Sequence, residues 1–211
     1  KGVTTMRLAT IQLDKQETAA IVLSNGVLPI STINSKLGKQ FPTNLFDLVP
    51  LEQLNQLKEW FEQEGQEEVK KLSDEIIPSS EVIYRPLYRH PRKIWGIGLN
   101  YVEHASDLSE VAPDTEPASF MKPDTTIIGY NDTIQIPVQS ERTTAEAELG
   151  VIIGKECKNV SEEEAPHVIA GFTTIIDMTA EDILQVNPRY LTRSKSFDTF
   201  FSFGPHLVTA D

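Results

Sequence analysis

Two short segments near the start of the chain are rich in apolar residues and interspersed with polar ones, which predicts β-strands over residues 6–13 and 18–31. The second segment is interrupted at residues 24–26, where an Asn-Gly pair tolerates positive φ and predicts a tight hairpin turn. Over residues 50–71 the spacing changes to that of a helix. The apolar stripe of this helix consists of Leu51, Leu54, Leu57 and Phe61. We expect this stripe to pack on a core or an interface.

Prolines cluster between Pro78 and Lys93, where the periodicity lapses. A boundary is therefore expected there, between a small N-terminal α+β domain (residues 1–85) and a second domain (residues 90–211). The second domain contains six segments that look extended: KIWGIGL, ASFMK, TIQIP, ELGVIIG, IAGFTTIID and PHLVTA. Its helical signals are short and cover residues 101–108, 161–165 and 179–184. Because strands and helices do not alternate, the predicted fold class is α+β and mostly β.

Charge and composition argue against some classes of binding partner. The 211 residues include 19 basic and 31 acidic side chains, and the resulting formal charge of −12 argues against a nucleic-acid backbone or an anionic membrane as partner. No apolar stretch reaches the length of a membrane span, and no signal-peptide pattern opens the sequence. Cys157 is the only cysteine, so no intrachain disulfide can form and a cytoplasmic location is the default expectation.

Two glutamates stand immediately before an apolar run in the segment TTAEAELGVIIG. Residues two apart on a strand share a face, so Glu146 and Glu148 are predicted to project together, with Ala147 and Leu149 on the opposite, packed side. Paired carboxylates repel each other unless a proton or a cation lies between them. Asp177 ends another apolar strand, and if the two strands are neighbours the three acids converge into an oxygen-only ligand set for Mg²⁺, Mn²⁺ or Ca²⁺. Solvated acids at a strand edge are the alternative.

A second group of candidates combines a histidine with nearby charges. His104 and Asp107 are spaced i, i+3 on a short helical segment and could act together as a general base, or form only a surface pair. Arg193 and Lys195 could bind an anionic substrate, although solvated basic side chains are the commoner explanation. The segment GIGLNY lacks the third glycine of a dinucleotide-binding loop, and the four histidines lack zinc-ligand spacing.

Five motifs occur in the order and spacing of one known family. They are IWGIGLNYVEHA, SFMKP, AEAELGVIIGK, AGFTTIIDMTAEDIL and KSFDTF, and they lie between about Lys93 and Asp211. On these motifs the chain resembles the fumarylacetoacetate hydrolase family, and residues 1–90 resemble the variable N-terminal domain common among its bacterial members. The resemblance implies a β-rich roll of mixed sheets, commonly assembled as a homodimer.

The resemblance also implies roles for individual residues. The implied ligands of one Mg²⁺ or Mn²⁺, for which Ca²⁺ could substitute, are Glu146, Glu148 and Asp177. It further implies that His104 belongs to a catalytic dyad and that Lys195 contacts substrate. Lys122 of SFMKP matches a recurrent family lysine that either binds substrate or holds the metal ligands in place.

Two departures from the family pattern bear on these roles. The acidic member of the dyad is typically Glu, whereas Asp107 stands here and reaches one methylene less far, which leaves its water-activating role open. Family members also usually continue well past the position of Asp211. We therefore expect that a glycine- and threonine-rich loop and the strands that complete the roll are missing from this sequence.

Three classes of function follow from these residues. The leading hypothesis is metal-dependent cleavage of a carbon–carbon bond in a small, anionic 2-oxo or 1,3-dioxo acid, by hydrolysis or decarboxylation through an enolate. An isomerase or hydratase of a diene or oxo dioate in aromatic degradation would use the same enolate chemistry. A non-catalytic module that binds a metal or a ligand is the third possibility.

Overall fold

The computed structural model describes residues 5–98 and 118–210, and β-strands dominate this part of the chain. The strands are β1 (Arg7–Leu13), β2 (Gln16–Val22), β3 (Gly26–Pro29), β4 (Ile77–Pro78), β5 (Tyr84–Arg85), β6 (Ile94–Gly98), β7 (Ala118–Lys122), β8 (Ile127–Ile128), β9 (Thr143–Ile153), β10 (Ile169–Ala180), β11 (Phe201–Phe203) and β12 (His206–Thr209). The predicted fold class, α+β with mostly β content, is confirmed.

Helices are short throughout the described residues. The α-helices are α1 (Ile30–Leu37), α2 (Leu45–Leu48), α3 (Leu51–Trp60), α4 (Gln66–Lys71), α5 (Glu181–Val186) and α6 (Leu191–Lys195), and 3-10 helices cover Ser73–Glu75, Asp124–Thr126, Ala165–Val168 and Pro188–Tyr190. A π-helical turn, Phe61–Gly65, joins α3 to α4, so the helix predicted over residues 50–71 is interrupted in its middle. None of the helices described in the structure is long and apolar enough to cross a membrane.

The α3 helix packs by the face that its sequence predicts. Leu54 and Leu57 are almost completely buried, whereas Leu51 and Phe61 pack at the margin of the core. The backbone N–H of Leu51 donates to the Gly154 carbonyl at 2.9 Å, which ties the start of the helix to the end of β9. The apolar stripe is therefore part of the core.

One mixed sheet organises most of the described residues. Its strand order is β4-β3-β2-β1-β12-β10-β11-β8, with β5 paired to β1 and β9 paired to β10, while β6 and β7 form a separate two-stranded sheet. All of these pairs are antiparallel except β8 with β11, which is parallel. Because β1 pairs with β12, the sheet passes through both predicted domains, and the main core cluster likewise draws on both. The division into domains stays a prediction.

One predicted strand is absent from the structure. Residues 133–137, TIQIP, alternate in polarity but are not in a strand. Ile136 is 58% exposed and Val138 is 98% exposed, so this segment runs along the surface. Alternation alone does not make a strand, because the backbone also needs a neighbouring strand to accept and donate its hydrogen bonds.

His206 on β12 has a partly buried ring beside an aromatic side chain. Its ring packs edge-on against that of Tyr84, with 5.2 Å between the ring centroids. Its Nε2 atom is buried and has no hydrogen-bond partner. Burial lowers the pKa of His206, and the positive charge of Arg7 lowers it further. The neutral imidazole is therefore the form that the fold favours.

Candidate metal and substrate site

Three acidic side chains share the inner face of the β9–β10 strand pair. The antiparallel register places Glu146 directly opposite Asp177, and Glu148 directly opposite Ile175. Residues two apart on a strand point to one side, so the three carboxylates project from the same face of the sheet. Asp177 is 5% exposed, whereas the two glutamates are partly buried. The strands that carry the acids are therefore neighbours, as convergence of the three carboxylates requires.

The opposite face of β9 is open rather than packed. Leu149 is 65% exposed and Ala147 is exposed as well, so the prediction that these two residues lie on a packed side is wrong. The side chains of α6 and β7 approach β10 on the acidic face instead. The exposed large apolar side chains on the open face are Leu149, Val151, Ile153 and Ile176. In the described residues, the enclosed side of this strand pair is the one that carries the acids.

Lys122, the last residue of β7, is buried against one oxygen of Asp177. Its Nζ donates to Asp177 Oδ1 at 2.5 Å and to the Met178 carbonyl oxygen at 3.3 Å. Only 1% of the Lys122 side chain is exposed. Burial lowers the pKa of Lys122 to about 8, although the neighbouring Asp177 carboxylate acts to raise it. The ammonium group is therefore held mainly by one carboxylate.

Lys195, the last residue of α6, approaches the other oxygen of the same carboxylate. Its Nζ donates to Asp177 Oδ2 at 2.5 Å, to Thr179 Oγ1 at 2.6 Å and to Glu146 Oε2 at 3.4 Å. These three contacts match the three N–H donors of an ammonium group. Asp177 thus bridges two buried lysines, one on each oxygen.

An aromatic ring closes one side of this charge cluster. The Phe120 ring lies with its centroid 4.6 Å from Lys195 Nζ, a distance at which a cation is attracted to the ring face. Phe120 pairs with Gly96 across β6 and β7. A Cβ atom at Gly96 would lie 2.2 Å from the Phe120 ring, so only glycine leaves room for this ring position.

The donor set fits a divalent cation in its chemistry, but its present contacts are with ammonium groups. Within residues 5–98 and 118–210, no three His, Cys, Asp or Glu side chains are arranged as a group that could hold a metal ion. Three carboxylates on one face nevertheless supply the oxygen ligands that Mg²⁺ and Mn²⁺ prefer. Together with the ammonium groups of Lys122 and Lys195, the three carboxylates carry a net formal charge of −1. Lys195 would have to leave Asp177 and Glu146 before both could ligate a cation.

The other predicted site residues are not part of this cluster in the described structure. His104 and Asp107 lie outside the described residues. Arg193 is on α6, but it is two positions before Lys195 and so points away from it on the helix. Its guanidinium lies 5.5 Å from the Tyr190 ring centroid, at the surface. The structure therefore joins Lys122, Lys195, Glu146 and Asp177, and it places Arg193 elsewhere.

Two members of this cluster, Thr179 and Phe120, are not among the residues predicted from the sequence. Thr179 accepts a hydrogen bond from Lys195, and Phe120 faces the same ammonium group. Each lies two residues from a predicted site residue on the same strand, Thr179 from Asp177 and Phe120 from Lys122. The period of two that pairs side chains on a strand is the signal that would have found both.

Comparison with known proteins identifies relatives of the second half of the chain. The profile of the family described as fumarylacetoacetate (FAA) hydrolase C-terminal matches residues 93–211. Oxaloacetate tautomerase fahd2, mitochondrial, of Xenopus laevis is 38% identical over 137 residues, which cover 64% of this chain and 43% of that protein. The chain spans about half the length of the first curated relatives that it matches.

Solved structures extend the similarity to nearly the whole fold. Maleylpyruvate hydrolase from Sphingobium sp. SYK-6, in complex with manganese(II) and pyruvate, is 25% identical with a TM-score of 0.71, over 98% of this chain and 68% of that one. The 5-carboxymethyl-2-hydroxymuconate delta-isomerase from Mycobacterium smegmatis is 34% identical with a TM-score of 0.55, over 63% of this chain and 50% of that one. A hydrolase, an isomerase and a tautomerase are thus among the proteins that this chain resembles.

Proposed function

This chain belongs to the fumarylacetoacetate hydrolase family, and from that premise we propose that it is an enzyme that forms the enolate of a small 2-oxo or 1,3-dioxo acid with one divalent cation. The leading reaction is cleavage of a carbon–carbon bond by hydrolysis or decarboxylation. In both, the electron pair of the broken bond passes into the enolate, which a proton then quenches. Members of the family with this fold include a hydrolase that binds manganese and pyruvate.

The observation that carries this proposal is the enclosed charge cluster around Asp177. Its carboxylate is shared between Lys122 and Lys195, while Glu146 lies directly opposite. Three carboxylates and two ammonium groups sum to one formal negative charge, and a divalent cation would change that sum to one positive charge. A small anionic oxo acid is the kind of ligand that such a site attracts.

We expect the cation to be held by Glu146, Glu148 and Asp177, as Mg²⁺ or Mn²⁺, for which Ca²⁺ could substitute. When bound, such a cation polarises carboxylate and 2-oxo oxygens and stabilises negative charge that develops on them. The manganese in the Sphingobium hydrolase supports the use of a divalent ion of this kind.

The remaining residues of the proposed site would bind substrate and move protons. Lys195 supplies a positive charge beside the carboxylates, and the Phe120 ring keeps one side of its ammonium group away from water. Arg193 lies apart from these side chains, against Tyr190, so it has no direct role in the proposed site. In the hydrolytic reaction, His104 paired with Asp107 would take the proton of a water molecule that attacks the distal carbonyl carbon. In decarboxylation no water is needed, and the pair would position or protonate.

Isomerisation or tautomerisation is the second candidate. The observation that favours it is the 38% identity to the oxaloacetate tautomerase of Xenopus laevis, together with the similarity to the Mycobacterium smegmatis isomerase. The enolate is common to all of these reactions, and they differ in which bond breaks before protonation.

A substrate panel with Mn²⁺ would separate the candidates. The assay measures by absorbance the consumption of acylpyruvates, oxaloacetate and diene dioates, and the products are then identified. Cleavage products support the leading proposal, whereas a shifted double bond or keto–enol exchange without cleavage supports the second. If none of these compounds reacts while Mn²⁺ is bound, both candidates are overturned, and a non-catalytic binding module is the function that remains.

The metal assignment can be tested separately by calorimetry. We expect Glu148→Gln to abolish Mn²⁺ binding, because a neutral amide is a much weaker ligand than a carboxylate. Glu163→Gln removes the same charge from an exposed position and serves as the matched control. Equal Mn²⁺ affinity in the two variants would contradict the proposed ligand set.

We also propose that the protein is a homodimer that pairs through the open apolar face of β9 and β10. The exposed side chains Leu149, Val151 and Ile153 support this, because a contiguous apolar patch on a strand pair is typical of an interface. Light scattering after size exclusion should give a dimer mass that falls to the monomer in Leu149→Lys. A monomer at all protein concentrations would contradict the proposal.

A further inference from the structure

The two oxygens of the Asp177 carboxylate have different partners. Oδ1 accepts from Lys122, which also donates to the Met178 carbonyl and is almost completely enclosed. Oδ2 accepts from Lys195, which also reaches Glu146 across the strand pair. One lysine is therefore fixed by the backbone beside Asp177, and the other bridges the two carboxylates that face each other.

We propose that the two lysines have opposite effects on metal binding: Lys122 is a positioning residue that holds Asp177 for the cation, and Lys195 competes with the cation for Asp177 and Glu146. Binding of the cation would then release the Lys195 ammonium group towards a substrate anion. This inference rests on the proposed metal site and adds to it an order of binding, with the cation first and the anion second.

Competition at Lys195 follows from its contacts. Its ammonium group lies 2.5 Å from Asp177 Oδ2 and 3.4 Å from Glu146 Oε2. A divalent ion on the same two oxygens would be strongly repelled by an ammonium group that stayed there. Lysine carries its charge on a flexible four-carbon stem, so the charge can move while the backbone of α6 stays in place. In its present position the ammonium group also contacts Thr179 and Phe120.

Positioning by Lys122 follows from the oxygen that it occupies. Its contact is with Oδ1, so Oδ2 can change partner while the carboxylate keeps its orientation. The second bond, to the carbonyl of the residue after Asp177, holds the ammonium group close to the β10 backbone. Without Lys122, a cation would have to fix a carboxylate that is free to rotate, at a cost in conformational entropy.

The decisive experiment compares the Mn²⁺ affinity of three Lys→Met variants by calorimetry. Each removes one positive charge, so simple electrostatics predicts that all three bind Mn²⁺ more tightly. We expect Lys195→Met to tighten binding by at least about fivefold, which is the lower end of typical coupling between two ligands. Lys122→Met should weaken binding by at least about fivefold. Lys158→Met, at an exposed position, is the matched control and should change little.

The outcomes distinguish a failure of the inference about the lysines from a failure of the proposed metal site. Unchanged or weaker binding in Lys195→Met, or tighter binding in Lys122→Met, would overturn the inference while leaving the metal site intact. No Mn²⁺ binding by the wild-type protein would instead overturn the proposed function on which the inference rests. If Lys122→Met fails to fold by circular dichroism, Lys122→Arg is used. It retains the charge but cannot occupy the same small enclosure, so weaker binding is again expected and unchanged binding would contradict the positioning role.

The order of binding has its own readout. Pyruvate is titrated into wild-type protein with and without saturating Mn²⁺, and we expect its affinity to rise when Mn²⁺ is present. In Lys195→Met the gain from Mn²⁺ should be smaller by at least about fivefold, because no ammonium group is there to be released. An equal gain in both proteins would contradict the release of Lys195.

Discussion

Replacing Asp177 with Asn tests whether the Asp177 carboxylate is the counter-ion that stabilises the buried Lys122 ammonium group. The substitution preserves the shape of the side chain and removes its charge. Lys195 would still have Glu146 at 3.4 Å, but Lys122 would lose the carboxylate that holds it. Only 1% of the Lys122 side chain is exposed, so water cannot replace that partner. The variant therefore leaves the Lys122 ammonium group buried against a neutral amide, without a carboxylate in direct contact.

The expected loss of stability is large. Removal of one partner from a buried ion pair typically costs about 3–5 kcal/mol. For a domain of this size that corresponds to a fall in melting temperature of roughly 6 to 20 °C. Urea unfolding at pH 7, followed by circular dichroism in the presence of a chelator, measures the free energy of unfolding directly.

The pH dependence of this loss has a defined sign. The pKa of Lys122 is about 8 in the folded protein against an ordinary value of 10.5, and without Asp177 it should fall further. Between the folded and the unfolded pKa, the unfolded chain binds more protons, so stability rises with pH there. Above about pH 8 Lys122 is neutral in both folded proteins, so the difference in stability between wild type and variant should shrink.

A double variant supplies the control. Asp177→Asn combined with Lys122→Met removes both buried charges, and we expect it to recover most of the stability that the single variant loses. A loss below about 1 kcal/mol in the single variant would refute the reasoning. So would a double variant that is no more stable than the single one.

Three further predictions concern the fold around the site. Phe200→Ala should lower the free energy of unfolding by about 3–5 kcal/mol in urea, because Phe200 is 0% exposed, whereas Val138→Ala at a 98% exposed position should change it by less than about 0.5 kcal/mol. Gly171→Ala should cost about 1–3 kcal/mol in the same assay, since the new Cβ would lie 2.2 Å from the Val208 carbonyl oxygen, and no loss would contradict the β10–β12 pairing. His206 has a lowered pKa in the fold, so wild-type stability should fall as the pH drops below about 6.5. His206→Phe should flatten that part of the stability–pH curve, and an unchanged slope would rule out His206 as its cause.

The sequence predicted which side chains share a face better than it predicted what covers that face. The spacing of Glu146 and Glu148 placed them together, and the structure pairs their strand with the one that carries Asp177, which was the condition for the three acids to converge. The same alternation also led to the wrong statement that Leu149 lies on a packed side, because periodicity does not say which face is enclosed. That depends on α6 and β7, which are remote from β9 in sequence.

The paired lysines show the same limit. Lys122 and Lys195 were both identified from the sequence, but nothing in local spacing indicated that they meet on one carboxylate. Lys122 lies 55 positions from Asp177 and Lys195 lies 18 positions from it, so only the folded sheet brings them together. Thr179 could have been predicted from the sequence, since it lies two residues after Asp177 and shares its strand and face.

The long β9–β10 ladder has a consequence for engineering new specificities. Its register runs without a break from Thr143 opposite Ala180 to Ile152 opposite Gly171, so the spacing of the acidic residues is set by backbone hydrogen bonds within two strands. Connecting loops contribute none of those bonds. Libraries that vary the segment between β8 and β9, or the turn between α5 and α6, should therefore diversify what surrounds the acids while the acids keep their spacing.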